Sequence, residues 1–357
     1  MPDRWRPTTC IGHRARRIAV ALIGALIAGG VWALPSVGAE SSRGIAIRPD
    51  LLIGQIGSVT RSDTPVGNAP TRLTASLLPG DGAVVGVGQP IVLTLSRPID
   101  ESGRSAIEQQ LQVRLNGAPA LGDWGWMTSQ QVWFRPYRYW PGNAEIEVTA
   151  TLAGVAAGEY RDRPLTGGLD QDRQWTFRTG PAVISYVDGA TYEMTVTIDG
   201  EVVRVIPVSL GKPGFETRDG VKVIAEKHER KRMTSEGQNL PEAEQYDVEV
   251  SHAARLTWTG EFVHAAPWAT HRIGRAHGSH GCVNVTAADA LWFYDNAAAP
   301  GDVVVFSNSG PKMELWNGYG GPWNLTAAQW RARSSLATGA QPAPAVPDRV
   351  VVRAAGP

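Results

Sequence analysis

Ser279-His280-Gly281-Cys282-Val283-Asn284 is the stretch on which the reading of this chain turns. It holds one of the two cysteines among 357 residues, the other being Cys10. His280 stands two positions before the thiol, and His264 stands fifteen positions before Ser279. A thiol attacks as its thiolate, and a neighbouring imidazole serves as proton acceptor and, when protonated, lowers the thiol's pKa. Gly281 lets backbone approach a reacting centre closely, so the N–H groups of Gly281 and Cys282 are the expected oxyanion donors. An isolated cysteine is more often a small buried hydrophobe. His-Gly-Cys between a serine and an asparagine points instead to cysteine acyl-transfer chemistry. On an extended segment His280 and Cys282 share a face, so spacing alone leaves either histidine as the base.

Composition narrows the class. Thirty-four basic residues balance thirty-four acidic ones, so no basic stripe suggests nucleic acid. Forty glycines, 25 prolines and 13 tryptophans suggest turn-rich β structure with aromatic packing. The N-terminus carries Arg4, Arg6, Arg14, Arg16 and Arg17, then an uncharged run from Ile18 to Leu34, then Val37-Gly38-Ala39 as a small-residue cleavage site. Residues 1–39 therefore read as an export signal or a retained inner-membrane anchor, and the chain is expected in the cell envelope outside the plasma membrane. Cys10 then lies in a removed or cytoplasmic segment, which leaves Cys282 without a disulfide partner and marks it as reactive. No His-Glu-x-x-His or paired Cys-x-x-Cys is present, so no metal and no cofactor is expected.

Residues 40–70 read as a linker. From 71 to 180, short β-like runs separated by Gly80-Asp81-Gly82, Asn116-Gly117, Pro141-Gly142-Asn143 and Gly167-Gly168 predict about seven strands, an immunoglobulin-like sandwich, with a short helix at Ser105–Gln110. From 181 to 307 the pattern predicts a second β-rich domain. Its strands fall at Val183–Val187, Thr191–Ile198, Val202–Ser209, Val221–Ala225, Asp247–Val250, Arg255–Trp258, Glu261–His264 and Asp302–Ser307. Thr286 caps a helix there, with Asp289 at its third position. Residues 308–335, with Trp316, Trp323, Trp330 and a capped start at Thr326, predict an extension packed by its tryptophans, and 336–357 a disordered tail.

The segment from His264 to Asn284 resembles the signature of the L,D-transpeptidase family, whose catalytic domain is of the YkuD type. That signature is a histidine, a spacer of fourteen to seventeen residues, and Ser/Thr-His-Gly-Cys-x-Asn. Pro207-Val208-Ser209-Leu210-Gly211-Lys212 and Phe262-Val263-His264-Ala265-Ala266-Pro267-Trp268 are similar to its strands. The sandwich, with Gly80 to Gly88 near its start and Tyr139-Trp140-Pro141 later, is similar to the domain preceding the catalytic domain in mycobacterial and related actinobacterial members. The resemblance covers residues 71 to 333.

It implies a mainly β fold, an Ig-like β-sandwich followed by the catalytic domain with short helices and a C-terminal extension. It implies a cysteine acyltransferase that joins peptidoglycan tetrapeptide stems by 3→3 cross-links and that carbapenems and other β-lactams acylate. Water as acceptor makes the same site an L,D-carboxypeptidase, and a non-catalytic wall-binding protein is the rival from another class. By family position Cys282 is the nucleophile and His264 the base. The carbonyl of Ala265, where a serine is commoner, orients that base, and Gly281 belongs to the oxyanion site. His280, Ser279, Asn284, Tyr246, Met233 and Trp268 are implied substrate contacts. A lid over the site spans about 233 to 250 and is unusually acidic, with Glu236, Glu242, Glu244 and Asp247. His271 and His277 read as exposed loop residues.

Overall fold

The computed structural model describes residues 70–168 and 170–337. The signal or anchor, the linker up to residue 69 and the tail from residue 338 lie outside the described residues.

Alternating side chains build the first domain. In the strand Glu145–Thr151, Ile146, Val148 and Ala150 point inward and are buried, while their neighbours face outward. This strand pairs with Asp172–Thr179 on one side and Leu111–Leu115 on the other, in a five-stranded sheet edged by Val84–Val85 and Ala118–Pro119. A four-stranded sheet orders Ala75–Leu78, Ile91–Leu95, Gln131–Pro136 and Gly122–Trp126. A three-stranded sheet joins Thr71–Leu73, Arg163–Gly167 and Ala156–Tyr160. Leu93, Leu95, Phe134, Trp140, Ile146 and Phe177 share the domain's core, and the Trp140 indole donates to Gln89 O at 2.8 Å. The sandwich expected from sequence is present, with twelve strands among the described residues rather than about seven. The additional ones are two to five residues long or rich in glycine and proline, as in Gly122–Trp126, so alternation has too little length to show. The helix is Glu101–Glu108, four residues earlier than expected, because the Asp100 carboxylate caps it by accepting from Gly103 N at 2.8 Å.

The second domain packs two sheets. One orders Glu201–Pro207, Glu193–Ile198, Val183–Asp188, Val303–Ser307 and Gly220–Val223. The other orders Glu226–Thr234, Asp247–Arg255, Phe262–Ala265 and Val283–Val285. Val196, Ile206, Val208, Ala254, Val263, Val283, Val285 and Phe293 lie in their shared core. Phe293 comes from the helix Ala287–Asn296, which Thr286 caps as its pairing with Asp289 predicts. Two expectations are corrected. Asp247–Val250 and Arg255–Trp258 are not separate strands: one strand runs Asp247–Arg255, carried past a left-handed His252 (φ 52°). Its partner Glu226–Thr234 carries seven charged or histidine side chains in nine residues, so no alternation of hydrophobicity marked it as a strand. The hairpin fixes the lid as the loop 235–246.

The domains meet backbone to backbone. Gly86 N donates to Pro300 O (2.8 Å) and Gly88 N to Gly301 O (2.9 Å). A Cβ on Gly86 would lie 2.1 Å from Asp302 N, so only glycine permits this approach. The extension clamps the joint. Arg135, buried in the sandwich, donates to the carbonyls of Pro322 (2.6 Å) and Leu325 (2.8 Å), with the rings of Trp323 and Trp330 each 5.6 Å from its guanidinium carbon. Trp323 Nε1 donates to Gly88 O, and Asn324 pairs with both backbone groups of Val221 on an edge strand of the catalytic domain. Trp316, by contrast, is 59% exposed and takes no such part. Trp330 is fully buried, so Trp330→Ala should cost about 3–5 kcal/mol of stability, read from denaturant unfolding. A loss under about 1 kcal/mol would show that the extension is not a structural clamp.

Candidate active site

Register explains why residues far apart in sequence line one cleft. The strand Phe262–Ala265 pairs in parallel with Val283–Val285, setting Val263 against Val283 and His264 against Asn284. Side chains alternate along each strand, so Phe262 and His264 share a face with Asn284, and Cys282 stands immediately before the second strand. All four line a cleft of about 1010 Å³, together with Met233, Tyr246, Trp268 and the Ser279–Gly281 loop.

His264 is buried, and its Nδ1 lies 2.9 Å from the carbonyl of Ala265. A carbonyl can only accept, so Nδ1 carries the proton and Nε2 is the basic nitrogen. The backbone makes this contact; no side-chain hydroxyl at position 265 is needed for it. Burial pushes the imidazole pKa below 6.5, against a smaller opposing effect of the Ala265 carbonyl. Cys282 is half-buried, and its Sγ donates to Gly260 O at 3.6 Å. Burial around the sulfur raises the thiol pKa to about 11, reinforced by Glu261 and opposed by a hydrogen bond at Phe262 and by Lys222. The expected imidazolium that lowers the thiol pKa is therefore not the resting state: thiol and imidazole are both neutral.

The loop bearing the thiol is held tightly. Ser279 Oγ donates to Cys282 O (2.6 Å) and accepts from Gly281 N (3.1 Å). Thr217 Oγ1 donates to Gly281 O at 2.9 Å. Gly281 sits at φ 113°, a left-handed conformation that suits glycine. Two readings change here. The regular strand starts at Val283, so His280 and Cys282 do not alternate as on a strand. The Gly281 N–H, expected as an oxyanion donor, is engaged by the Ser279 hydroxyl, which bonds within its own loop while Ser279 still lines the cleft.

The other expected contacts divide. Tyr246 stands with its ring 5.2 Å from that of His280, its pKa raised by burial and by the nearby Cys282. Trp268 is half-exposed, 6.1 Å from the His264 ring. Met233 and Cys282 each pack against the cluster of Val250, Ala253 and Phe262. Asn284 is buried, and its backbone N–H and carbonyl both pair with Ser209. His271 is exposed, but His277 is structural: its Nδ1 accepts from Leu210 N at 3.2 Å and its ring packs 4.7 Å from Tyr192. Among the described residues no cluster of three or more His, Cys, Asp or Glu side chains is arranged to hold a metal.

Sequence reasoning missed the charges behind the thiol. Lys222 is fully buried, with Nζ 2.8 Å from Glu261 Oε2 and 3.8 Å from the centroid of Phe306. Glu261 Oε1 accepts from Arg218 N at 2.9 Å. Burial lowers the Lys222 pKa, and Glu261 opposes that fall. The one available signal was a charge inside the apolar run Val221–Val223 and another at the edge of Phe262–Ala265.

Two protein families match the two halves of the chain: a bacterial Ig domain over residues 62–156 and an L,D-transpeptidase catalytic domain over residues 182–306. L,D-transpeptidase 2 of Mycobacterium tuberculosis (strain CDC 1551 / Oshkosh) is 32% identical over 289 residues, 80% of this chain and 68% of its own. L,D-transpeptidase 1 of M. tuberculosis (strain ATCC 25618 / H37Rv) is 32% identical over 262 residues, 73% and 94% respectively. The structure of the LD transpeptidase LdtMt1 in complex with imipenem superposes with a TM-score of 0.55 at 31% identity, covering 65% of this chain and 97% of that one. A cysteine–histidine cleft on a mixed β scaffold is thus joined to an Ig-like sandwich. The chain belongs to the L,D-transpeptidase family.

Two outcomes follow from the buried charges and the raised thiol pKa. Glu261→Leu strands a buried ammonium and should cost about 3–5 kcal/mol, most of it recovered in Lys222→Met/Glu261→Leu; additive losses would show that the pair is not coupled. Alkylation of Cys282 by iodoacetamide in the free protein should rise about tenfold per pH unit to beyond about pH 10, since the thiolate forms only near pH 11. A plateau near about pH 8 would mean that the thiol is already activated without substrate.

Proposed function

We propose that this protein is a peptidoglycan L,D-transpeptidase that forms 3→3 cross-links between stem peptides through a thioester on Cys282. The observation that carries the reading is His264, with Nδ1 tied to the Ala265 carbonyl and basic Nε2 left free on the same cleft wall as the thiol. Its depressed pKa keeps it neutral and able to accept a proton at neutral pH.

The donor stem enters the cleft and the thiol turns from Gly260 O toward His264. His264 Nε2 takes the thiol proton as Sγ bonds to the carbonyl carbon joining the L-centre of diaminopimelate to D-Ala. The tetrahedral oxyanion is stabilised by Cys282 N–H, with Gly281 N–H joining once it exchanges its bond to Ser279. The C–N bond breaks, D-Ala leaves with the proton from His264, and a thioester remains. The side-chain amine of a second stem's diaminopimelate attacks, His264 accepts its proton, and the C–S bond breaks. The thiolate regains that proton and the resting site is restored. A neutral resting pair confines the reactive thiolate to the occupied site, which suits an unpaired thiol in an oxidising compartment. The basic N-terminus and the apolar run Ile18–Leu34 support export to the cell envelope, where the stems are. The relative in complex with imipenem supports acylation of the same thiol by carbapenems.

Intact-protein mass spectrometry after incubation with imipenem should show one adduct, absent in Cys282→Ala. No adduct on folded protein would sink the nucleophile assignment. With disaccharide-tetrapeptide, a dimer lacking one D-Ala supports cross-linking, whereas a tripeptide as the sole product makes the enzyme a carboxypeptidase. The acylation rate should also fall below about pH 6.5, as His264 protonates through its depressed pKa. A fall already complete above pH 6.5 would show that the base is not the depressed imidazole of His264.

A further inference from the structure

His280 is not free at the mouth of the cleft. Its Nε2 lies 2.7 Å from Glu244 Oε2, and the same oxygen forms an ion pair with Lys212 Nζ. Lys212 and His280 belong to the cleft wall, whereas Glu244 reaches them from the lid, as the last residue of a short 3-10 turn, Glu242–Glu244. Aromatic rings box the histidine: Phe215 stands edge-on at 4.6 Å and Tyr246 at 5.2 Å. Lys212 Nζ lies 5.3 Å from the Phe215 centroid. One carboxylate oxygen held by an ammonium and an imidazole, against aromatic walls, is a filled carboxylate site.

The occupant is tethered loosely enough to leave. The lid is pinned at its neck, where Ser235 N donates to Tyr246 O (2.9 Å) and Tyr246 N to Ser235 Oγ (2.8 Å). Beyond the neck, the bonds from Gln238 N to Ser235 O, Leu240 N to Gln238 O and Glu244 N to Pro241 O close within the loop itself. Glu244 thus joins the lid to the cleft by side-chain contacts alone at this point, and its release need break no sheet hydrogen bond.

We propose that Lys212 and His280 form a subsite for a free carboxylate of the donor stem, and that Glu244 is its built-in occupant, displaced when a stem binds. The proposal rests on the stem-peptide reading above. Exchange of one carboxylate for another keeps both charge-assisted contacts, so the incoming stem meets a site already shaped for it. A ligand without that carboxylate leaves Glu244 in place and gains nothing from Lys212 and His280. The occupied state also neutralises the most inward of the lid's acidic groups, so this lid does not repel an anionic stem as its composition alone suggests.

The test is binding to Cys282→Ala, which cannot turn over, titrated calorimetrically with the stem tetrapeptide and with its fully amidated counterpart. Removing the competitor raises the fraction of open subsite. Glu244→Gln should therefore tighten the free-carboxylate peptide about five- to tenfold and leave the amidated one within about twofold. Adding Lys212→Met should abolish the gain. Glu244→Ala, with circular dichroism to establish folding, must reproduce the same difference between the peptides. Equal shifts for both peptides, or no shift for either, would overturn the subsite. Binding of neither peptide to any folded variant would instead overturn the stem-peptide reading itself.

Discussion

The parallel pairing of Phe262–Ala265 with Val283–Val285 is the constraint on which the site depends. A parallel pair needs a crossover, and the chain between the two strands supplies it: the turn at Pro267–Ala269, the loop through His277 and the Ser279–Cys282 corner. The register then decides which side chains share the cleft. A slip of one residue would turn His264 into the core and expose Val263. Val263, Val283 and Val285 are fully buried between the sheets, and that burial resists such a slip. The cleft geometry is thus a by-product of core packing one residue away.

Around that pair the protein keeps its reactive groups uncharged and places full charges just behind them. Lys222 and Glu261 form a pair enclosed by Phe306 and by the Arg218 amide. Such a pair contributes little net stability, because desolvation offsets attraction, yet neither partner tolerates the loss of the other. Glu261 packs against the thiol loop, with its Cγ 3.6 Å from where a Cβ on Gly281 would lie. Its charge acts on Cys282 in the opposite sense to that of Lys222, so the pair leaves burial as the dominant influence on the thiol.

The sandwich and the extension set the frame within which the catalytic sheets stand. Contact at Gly86 and Gly88 is made by backbone, and Arg135, Trp323, Asn324 and Trp330 lock it from the C-terminal side. Asp302, at the same joint, is buried enough that its carboxyl pKa rises to about 7, while its bond from Ala299 N opposes the rise. A folded pKa above the unfolded value near 3.8 means that the folded form holds the proton longer. The stability it contributes is complete below about pH 4 and declines as pH rises toward about 7.

What the sequence determined by itself is local: the capped helices at Thr286 and Thr326 and the alternating strands such as Glu145–Thr151; the grouping of His264, Ala265 and Cys282 was legible only through resemblance to a family signature. Caps span three residues and alternation repeats every two, so a short window contains the whole cause. The tertiary structure alone decided the partners. His280 meets Glu244 across 36 positions, Lys222 meets Glu261, Arg135 meets the carbonyls of Pro322 and Leu325, and Ser279 spends its hydroxyl on its own loop. No periodicity encodes such contacts, because each depends on how separate strands and loops pack in three dimensions. The resting charge of the thiol belongs to the same class: burial raises its pKa, and burial exists only once the sheets close around it.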